Sequence, residues 1–490
     1  MDETQPLLPD ADRNRVVEED ANTDPNIVTF NPEGDEENPL EWRASYKWAV
    51  VGLLAFMAFN VTFTCISVVP VADRIVRNLN NDQASKSSSV LLVTIWELGE
   101  AAGPLLIAPL SEMYGRYPVV NVCNIGLILF TVIAALSQNL SLFTAVRALS
   151  GAMVCSNVLN PSIVGDMFPP ENRGRPMGLV MLASLVGGAL GPLISVSVAE
   201  SLGWRAVMWM CVIMSSTGEL LLFTLFRETY RVPILRRKAA RIRSETSNPQ
   251  AKSQFDEHTQ SLSKLRDAVL RPFIVFFDSA ILQMTSLLSA VVFTFFYILA
   301  TTLPDITGNV YELEPTITGV IYISFSVGAV LGNLINNTSM DYLYLRLKTH
   351  HKGIGRPEYR LPFVIFGTLT MPLALAFFGW TAALRLPVGV LVLAIILIGG
   401  FMQFAFLPVL AYVVDAFGLY SASALTALIV TRCLMSTFLP LATPPLVERF
   451  GYGWAYTILG AMLISLTPIP GFTFRYGHNW RQRSKYSRDE

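Results

Sequence analysis

The sequence predicts an all-α membrane protein with twelve transmembrane helices, and three observations carry that expectation. Of 490 residues, 52% are hydrophobic and only 15% are charged, whereas a soluble globular chain carries about 25% charged residues. The charges crowd into the first 45 residues, one central stretch and the last 16 residues. Between them lie apolar runs of about 20 residues, each long enough to cross the hydrocarbon core as a helix. A formal net charge of −1 argues against an overall basic nucleic-acid binder. Cys65, Cys123, Cys155, Cys211 and Cys433 all fall inside apolar runs and read as packing residues. The four histidines (His258, His350, His351 and His478) sit in polar segments, and no metal-binding, nucleophile-elbow or nucleotide-loop pattern occurs. No enzyme, cofactor or metal is therefore expected.

The apolar runs fall near 47–69, 88–110, 118–137, 141–160, 176–199 and 204–226, then 273–300, 316–338, 361–381, 386–408, 415–440 and 452–474. This places a disordered tail at 1–45, six spans at 46–226, a linker at 227–272, six more spans at 273–474 and a tail at 475–490. Residues 1–45 are acidic and rich in Pro and Asn, without the apolar stretch of a signal peptide. The linker is basic (Arg231, Arg236, Arg237, Lys238, Arg241, Arg243), as is the last tail (Arg475, Arg481, Arg483, Lys485). With twelve spans these segments share one side, which the distribution of basic residues makes cytoplasmic, together with the N-terminus. The opposite loop 301–315 carries Asp305, Glu312 and Glu314 and no base.

Three segments carry motifs. Between spans 2 and 3 lies Pro109-Leu-Ser-Glu112-Met-Tyr-Gly115-Arg116-Tyr-Pro118. A tight turn there needs the glycine, and Glu112 and Arg116 are placed to cap helix ends and pair across the bundle. Span 4 contains Arg147-Ala-Leu-Ser-Gly151, with its guanidinium roughly 9 Å into the membrane at about 1.5 Å per residue. That position costs about 2.5–3.5 kcal/mol unless the side chain faces protein or water; snorkelling to the outer surface is the alternative. Span 5 contains Gly178, Gly187-Gly188, Gly191 and Pro192: the small pair allows close helix approach and the proline permits a bend.

These segments resemble signatures of the major facilitator superfamily. The first has the form typical of its fungal twelve-span drug:proton antiporters, with Ala108 where Gly is usual and Glu112 where Asp is usual. The span 4 element resembles the family's R-x-x-x-G. The span 5 pattern matches G-x8-G-x3-G-P of its antiporters, although Ser195 and Val196 replace the closing Gly-Gly. Asn38-Pro-Leu-Glu-Trp42, Gly203-Trp-Arg205, Arg227-Glu-Thr-Tyr230 and Pro357-Glu-Tyr-Arg-Leu-Pro362 fit the same branch, so the resemblance covers about residues 38–475. It implies two pseudo-symmetric six-helix halves, with span 5 meeting span 8 and span 2 facing span 11. Gly99/Gly103 in span 2 and Gly328/Gly332 in span 8 are then expected, with Gly187/Gly191, to serve that sliding interface.

Within the spans, Trp96-Glu97-Leu-Gly-Glu100 places two carboxylates close to the bilayer midplane and on one helix face. Low dielectric disfavours an ionised carboxylate, and a second acid nearby disfavours it further, so such a pair is suited to loading and releasing protons. Glu97 and Arg147 lie at comparable depth, so an ion pair between them is expected in one state of the cycle. The alternative is a static pair that fixes packing. Asn60, Thr64, Asn157, Asn160, Asp278, Gln283 and Gln403 are candidate cavity-lining groups, with Trp96, Tyr297 and Tyr322 as an apolar wall. Glu219 and Arg432 are further ionisable residues, the latter expected near the outer end of span 11.

The resemblance implies proton-coupled efflux of a small amphipathic compound such as a drug, toxin or fungal secondary metabolite. Uptake symport of a nutrient and a non-transporting receptor are the alternatives. The expected partners are the substrate, protons and the bilayer, for a monomer in the plasma membrane. Glu3-Thr-Gln-Pro-Leu7-Leu8 also has the acidic-dileucine form of a vacuolar sorting signal.

Overall fold

A computed structural model describes residues 27–31, 34–80, 85–246, 252–253, 255, 262–350 and 356–487. The acidic-dileucine segment lies outside the described residues.

Span 1 is α1 (Ala44–Ile66), continued after a 3-10 turn by α2 (Ala72–Leu79). Span 2 is α3 (Lys86–Tyr114), span 3 is α4 (Arg116–Leu136), and span 4 is split into α5 (Leu140–Ala152) and α6 (Ser156–Met167). Spans 5 and 6 are α7 (Gly174–Leu202) and α8 (Trp204–Leu225). Two linker helices follow, α9 (Arg231–Thr246) and α10 (Leu262–Asp278). Then come α11 (Ala280–Asp305), α12 (Pro315–His350), α13 (Leu361–Ala383), α14 (Val388–Phe417), α15 (Ser421–Phe438), α16 (Thr443–Leu466) and α17 (Pro468–Arg481).

Among the described residues, 11 segments are long and apolar enough to cross a membrane, the last being Ser421–Arg481 with 61 residues. A straight helix of that length would reach roughly 90 Å, about three times the hydrocarbon core. It does not run straight. At Gly451 the backbone takes φ 73° and ψ 169°. The chain after it runs back along α13, with Gly453 on Trp380, Gly460 on Pro372 and Gly477 on Glu358. This segment therefore holds the last two of the twelve expected crossings. Gly115 joins α3 to α4 with φ 103°, again a left-handed single-residue turn that favours glycine.

Between the two sets of six spans, α7 packs on α12 and α3 on α15, as expected. The small-residue pairs, however, lie elsewhere. A Cβ on Gly103 would come 2.7 Å from the Ala152 carbonyl, one on Gly191 3.3 Å from that of Phe63, and one on Gly332 2.5 Å from that of Gly400. Gly99, Gly187 and Gly328 meet Ala148, Phe59 and Ile396 in the same way. These pairs fasten span 2 to span 4, span 5 to span 1, and span 8 to span 10. The sequence shows a small-residue stripe but not which neighbour it faces. One close point of the α7–α12 contact lies at Pro192 and Leu193, where a Cβ on Gly319 would come 2.9 Å from Leu193 Cα.

The first 45 residues are not structureless throughout. β1 (Ile27–Val28) pairs in parallel with β2 (Lys252–Ser253) of the linker, and a 3-10 turn spans Pro39–Glu41.

The glycine contacts make a graded expectation for thermal unfolding of the detergent-solubilised protein. Gly332→Val should lower stability by about 1–3 kcal/mol through overpacking. Gly178 has nothing within 4 Å of an added Cβ, so Gly178→Ala should raise stability by about 0.5–1 kcal/mol through helix propensity.

Candidate functional site

α3 carries Glu97 and Glu100 near the middle of its 29 residues, one turn apart and both buried, at 2% and 6% exposure. They reach different partners across the boundary between the two sets of spans. The Tyr297 hydroxyl on α11 donates to Glu97 Oε1 at 2.6 Å, and Glu97 Oε2 is buried without a partner. Glu100 Oε1 accepts from Asn157 Nδ2 at 2.7 Å and from Arg432 Nη2 on α15 at 3.1 Å. The Arg432 guanidinium also lies over the Phe293 ring, 4.3 Å from its centroid. Arg432 is thus at mid-span rather than near the outer end. Span 11 runs on through the 3-10 turn Leu439–Ala442 to the Gly451 turn, which moves its centre along the chain.

Arg147 is buried at 2% exposure and turns inward rather than snorkelling. Its Nη1 and Nη2 donate to the carbonyls of Thr64 at 3.2 Å and Cys65 at 3.0 Å, and its guanidinium lies 4.7 Å from the Trp96 ring centroid. α1 ends at Ile66, and the last carbonyls of a helix lack intrahelical donors; Arg147 supplies them. In this structure Glu97 and Arg147 do not pair: the arginine serves main-chain oxygens and the carboxylate turns to Tyr297. Asn157 reaches Glu100 because span 4 is interrupted at 153–155, with α6 beginning at Ser156.

The remaining polar candidates divide. Asn60 donates to Ser215 Oγ at 3.0 Å and accepts from Thr64 Oγ1 at 3.5 Å, linking spans 1 and 6. Asn160 is buried on α6, one turn beyond Asn157. Gln283 donates to the carbonyls of Phe276 and Phe277 at the α10–α11 break. Tyr322 donates to the Ala300 carbonyl at 2.5 Å, and Gln403 is half-buried in α14. Asp278 precedes α11 and accepts from Ser484 at 2.6 Å, at the basic-tail end rather than in a cavity. Glu219 accepts from Asn124 at 2.7 Å, between spans 6 and 3. At the end away from the linker, Lys86 at the start of α3 and Asp305 at the end of α11 pair at 3.3 Å across the boundary.

At the linker end, Arg116 opens α4. Its amide and that of Tyr117 donate to Glu228 at 2.9 and 3.1 Å, so this carboxylate caps the helix N-terminus. The Arg116 side chain pairs with Asp166 at 3.4 Å, donates to Ser111 Oγ at 2.5 Å and lies over the Tyr230 ring. Burial pushes the Tyr230 hydroxyl above its ordinary value, so the ring meets the guanidinium as a neutral phenol. Glu112, the expected partner, makes no ion pair among the described residues; one helical turn back on α3, it is passed over for the acids on α6 and the linker. Glu228 is a functional residue that the sequence marked only as part of the Arg227–Tyr230 segment. A similar pairing recurs in the later spans, where Arg360 before α13 meets Asp415 at 2.6 Å and Arg481 meets Glu358 at 2.9 Å.

The Major Facilitator Superfamily profile matches residues 48–440. The chain belongs to that superfamily. As a major facilitator it is a membrane transporter and not an enzyme. It is 31% identical over 453 residues to the transporter cpaT of Aspergillus oryzae, covering 92% of this chain and 91% of that protein. It is 29% identical over 465 residues to the efflux pump radE of Floropilus chiversii, covering 94% and 86%. In fold it is similar to a D-xylose–proton symporter, with TM-score 0.67 at 14% identity, covering 87% of this chain and 97% of that one.

The inter-span pair makes an asymmetric stability expectation. Arg432→Ala leaves Glu100 buried without its cation and should cost about 3–5 kcal/mol. Glu100→Gln keeps the Asn157 contact and should cost less. The double substitution should cost less than the sum, as thermal unfolding of the four proteins would report.

Proposed function

We propose that this major facilitator is a proton-coupled exporter of a small amphipathic organic compound, with Glu100 and Glu97 as the proton-handling groups. It works as a monomer in the plasma membrane with both termini in the cytoplasm; the vacuolar membrane is the alternative address. The observation that carries the reading is the buried Glu100–Arg432 pair, which joins α3 to α15 at mid-span. A proton on Glu100 removes the negative partner of Arg432 and weakens the tie between the two sets of six spans. Glu97 supports the same reading, since its buried Oε2 is an open acceptor for a proton or a donor group of the cargo. Similarity to radE, an efflux pump, favours export over uptake, and the aromatic surroundings of Arg432, with Phe293 packed at a tilt against Phe296, Tyr297 and Phe406, suit an amphipathic cargo.

Deleting the gene and comparing cells with medium tests the direction: an exporter's cargo rises inside the cells, whereas depletion inside with retention in the medium would indicate uptake. The accumulating compound then serves as probe in inside-out vesicles with an imposed pH gradient. Wild-type transport should collapse with a protonophore. Glu100→Gln should lower gradient-driven transport by at least about tenfold, equivalent to about 1.4 kcal/mol, and Glu97→Gln should lower it less. Full pH-gradient-driven transport in both variants would rule out these carboxylates as the coupling groups.

A further inference from the structure

Residues 27–31 and 34–42, ahead of the first span, lie across linker helix α9. β1 pairs with β2 in the register Ile27 to Lys252 and Val28 to Ser253, and Val28 packs on Ala239 and Ile242. Lys238 is gripped three ways: its Nζ meets Asp35 Oδ2 at 2.5 Å and the Thr29 carbonyl at 3.4 Å, and stands 5.9 Å from the Phe30 ring centroid. One turn on, Arg241 pairs with Glu37 at 2.5 Å. The segment is itself anchored to span 1. Trp42 Nε1 donates to the Glu36 carbonyl at 3.0 Å, and Lys47 of α1 donates to the Leu40 carbonyl at 2.6 Å.

The other end of α9 leads directly to the turn between α3 and α4. Glu228, three residues before α9, holds the first two amides of α4. A Cβ on Gly115 would meet both Glu228 and Pro233, the latter at 3.2 Å, so the linker is seated on that turn without slack. A force on Lys238 or Arg241 therefore reaches Arg116 through one short helix and one carboxylate.

We infer that residues 27–31 and 34–42 act as a strap, fastened by the Asp35–Lys238 and Glu37–Arg241 pairs, that holds α9 and with it Glu228 against the α3–α4 turn. Removing the strap frees the linker end of the first six spans to rearrange, in whichever direction cargo moves. The fastening is electrostatic and partly exposed, so raised salt loosens it. Neutral-range pH does not. Burial pushes the Asp35 carboxyl up, but Lys238 and the amides of Glu37 and Asn31 outweigh this and hold it below its ordinary value. Its contribution is thus present above the usual aspartate range and is lost only as pH falls through a still lower value.

Hydrogen exchange of the full-length protein in lipid nanodiscs tests the inference without a transport substrate. Three proteins are compared: wild type, Asp35→Lys with Glu37→Lys, and the same pair combined with Lys238→Asp and Arg241→Glu. The charge reversal should raise exchange about tenfold or more in residues 27–42, in α9, and at the Arg116 and Tyr117 amides that Glu228 holds. The fourfold charge swap should restore most of the protection. Faster exchange confined to residues 27–42, no change anywhere, or failure of the swap to restore protection would each overturn the strap.

Discussion

Most of this molecule's polar architecture follows from the cost of leaving a charge unpaired in a medium that hydrates it poorly. Glu100, Arg432, Glu97 and Arg147 are buried in the bundle, and each meets a partner on an element other than its own, while Glu97 Oε2 is left without one. Two of the partners lie across the boundary between spans 1–6 and spans 7–12. Beside those polar contacts the boundary is packed by Gly319 against Leu193, and within the first six spans the close glycine contacts are accompanied by polar ones such as Asn60–Ser215 and Asn124–Glu219. The charged pair that crosses the boundary at mid-span is Glu100 with Arg432, and on the proposed reading it is this attraction that a proton would cancel.

The linker end obeys the same constraint with more water at hand. A helix that begins with an arginine leaves its first amides free, and Glu228 satisfies two of them while Asp166 neutralises the side chain. The later spans use Arg360 with Asp415 and Arg481 with Glu358 in corresponding places. These clusters lie next to single-residue turns or short connections, so a carboxylate supplied by a distant segment is a structural component of the turn itself. That is why the linker and the N-terminal segment are ordered where they touch the bundle.

Much of the fold was legible because hydrophobic length is a direct physical requirement of the bilayer. Each of the predicted apolar runs overlaps a helix, but limits shift where polar residues extend a helix, as in Pro315–His350, or where span 11 continues through Leu439–Ala442. Glu97, Glu100 and Arg147 were visible because an ionisable residue in an apolar run is conspicuous. Their partners were not. Residue spacing places side chains around one helix axis but says nothing of which neighbouring helix stands at that angle. So Arg432, Tyr297 and Glu228 were noted without their roles, and Gly187 and Gly191 were assigned to the wrong neighbour. Asn60 holds Ser215 and Gln283 holds two helix-end carbonyls, contacts that spacing does not reveal, because a polar residue in a span has the same sequence signature whether it greets a ligand or a carbonyl.

The interruption of span 4 at Met153–Cys155 has its own consequence. The piece before it is pinned through Arg147 to the end of the first span, and the piece after it through Asn157 to the carboxylate of the second. Three residues between them lie outside regular helix, so this is where the rod flexes most cheaply. Asn157 ties the second piece directly to Glu100, whereas the first piece lies against the same helix through Gly99, Gly103 and Gly151, so the two pieces meet span 2 by separate contacts on either side of the elbow.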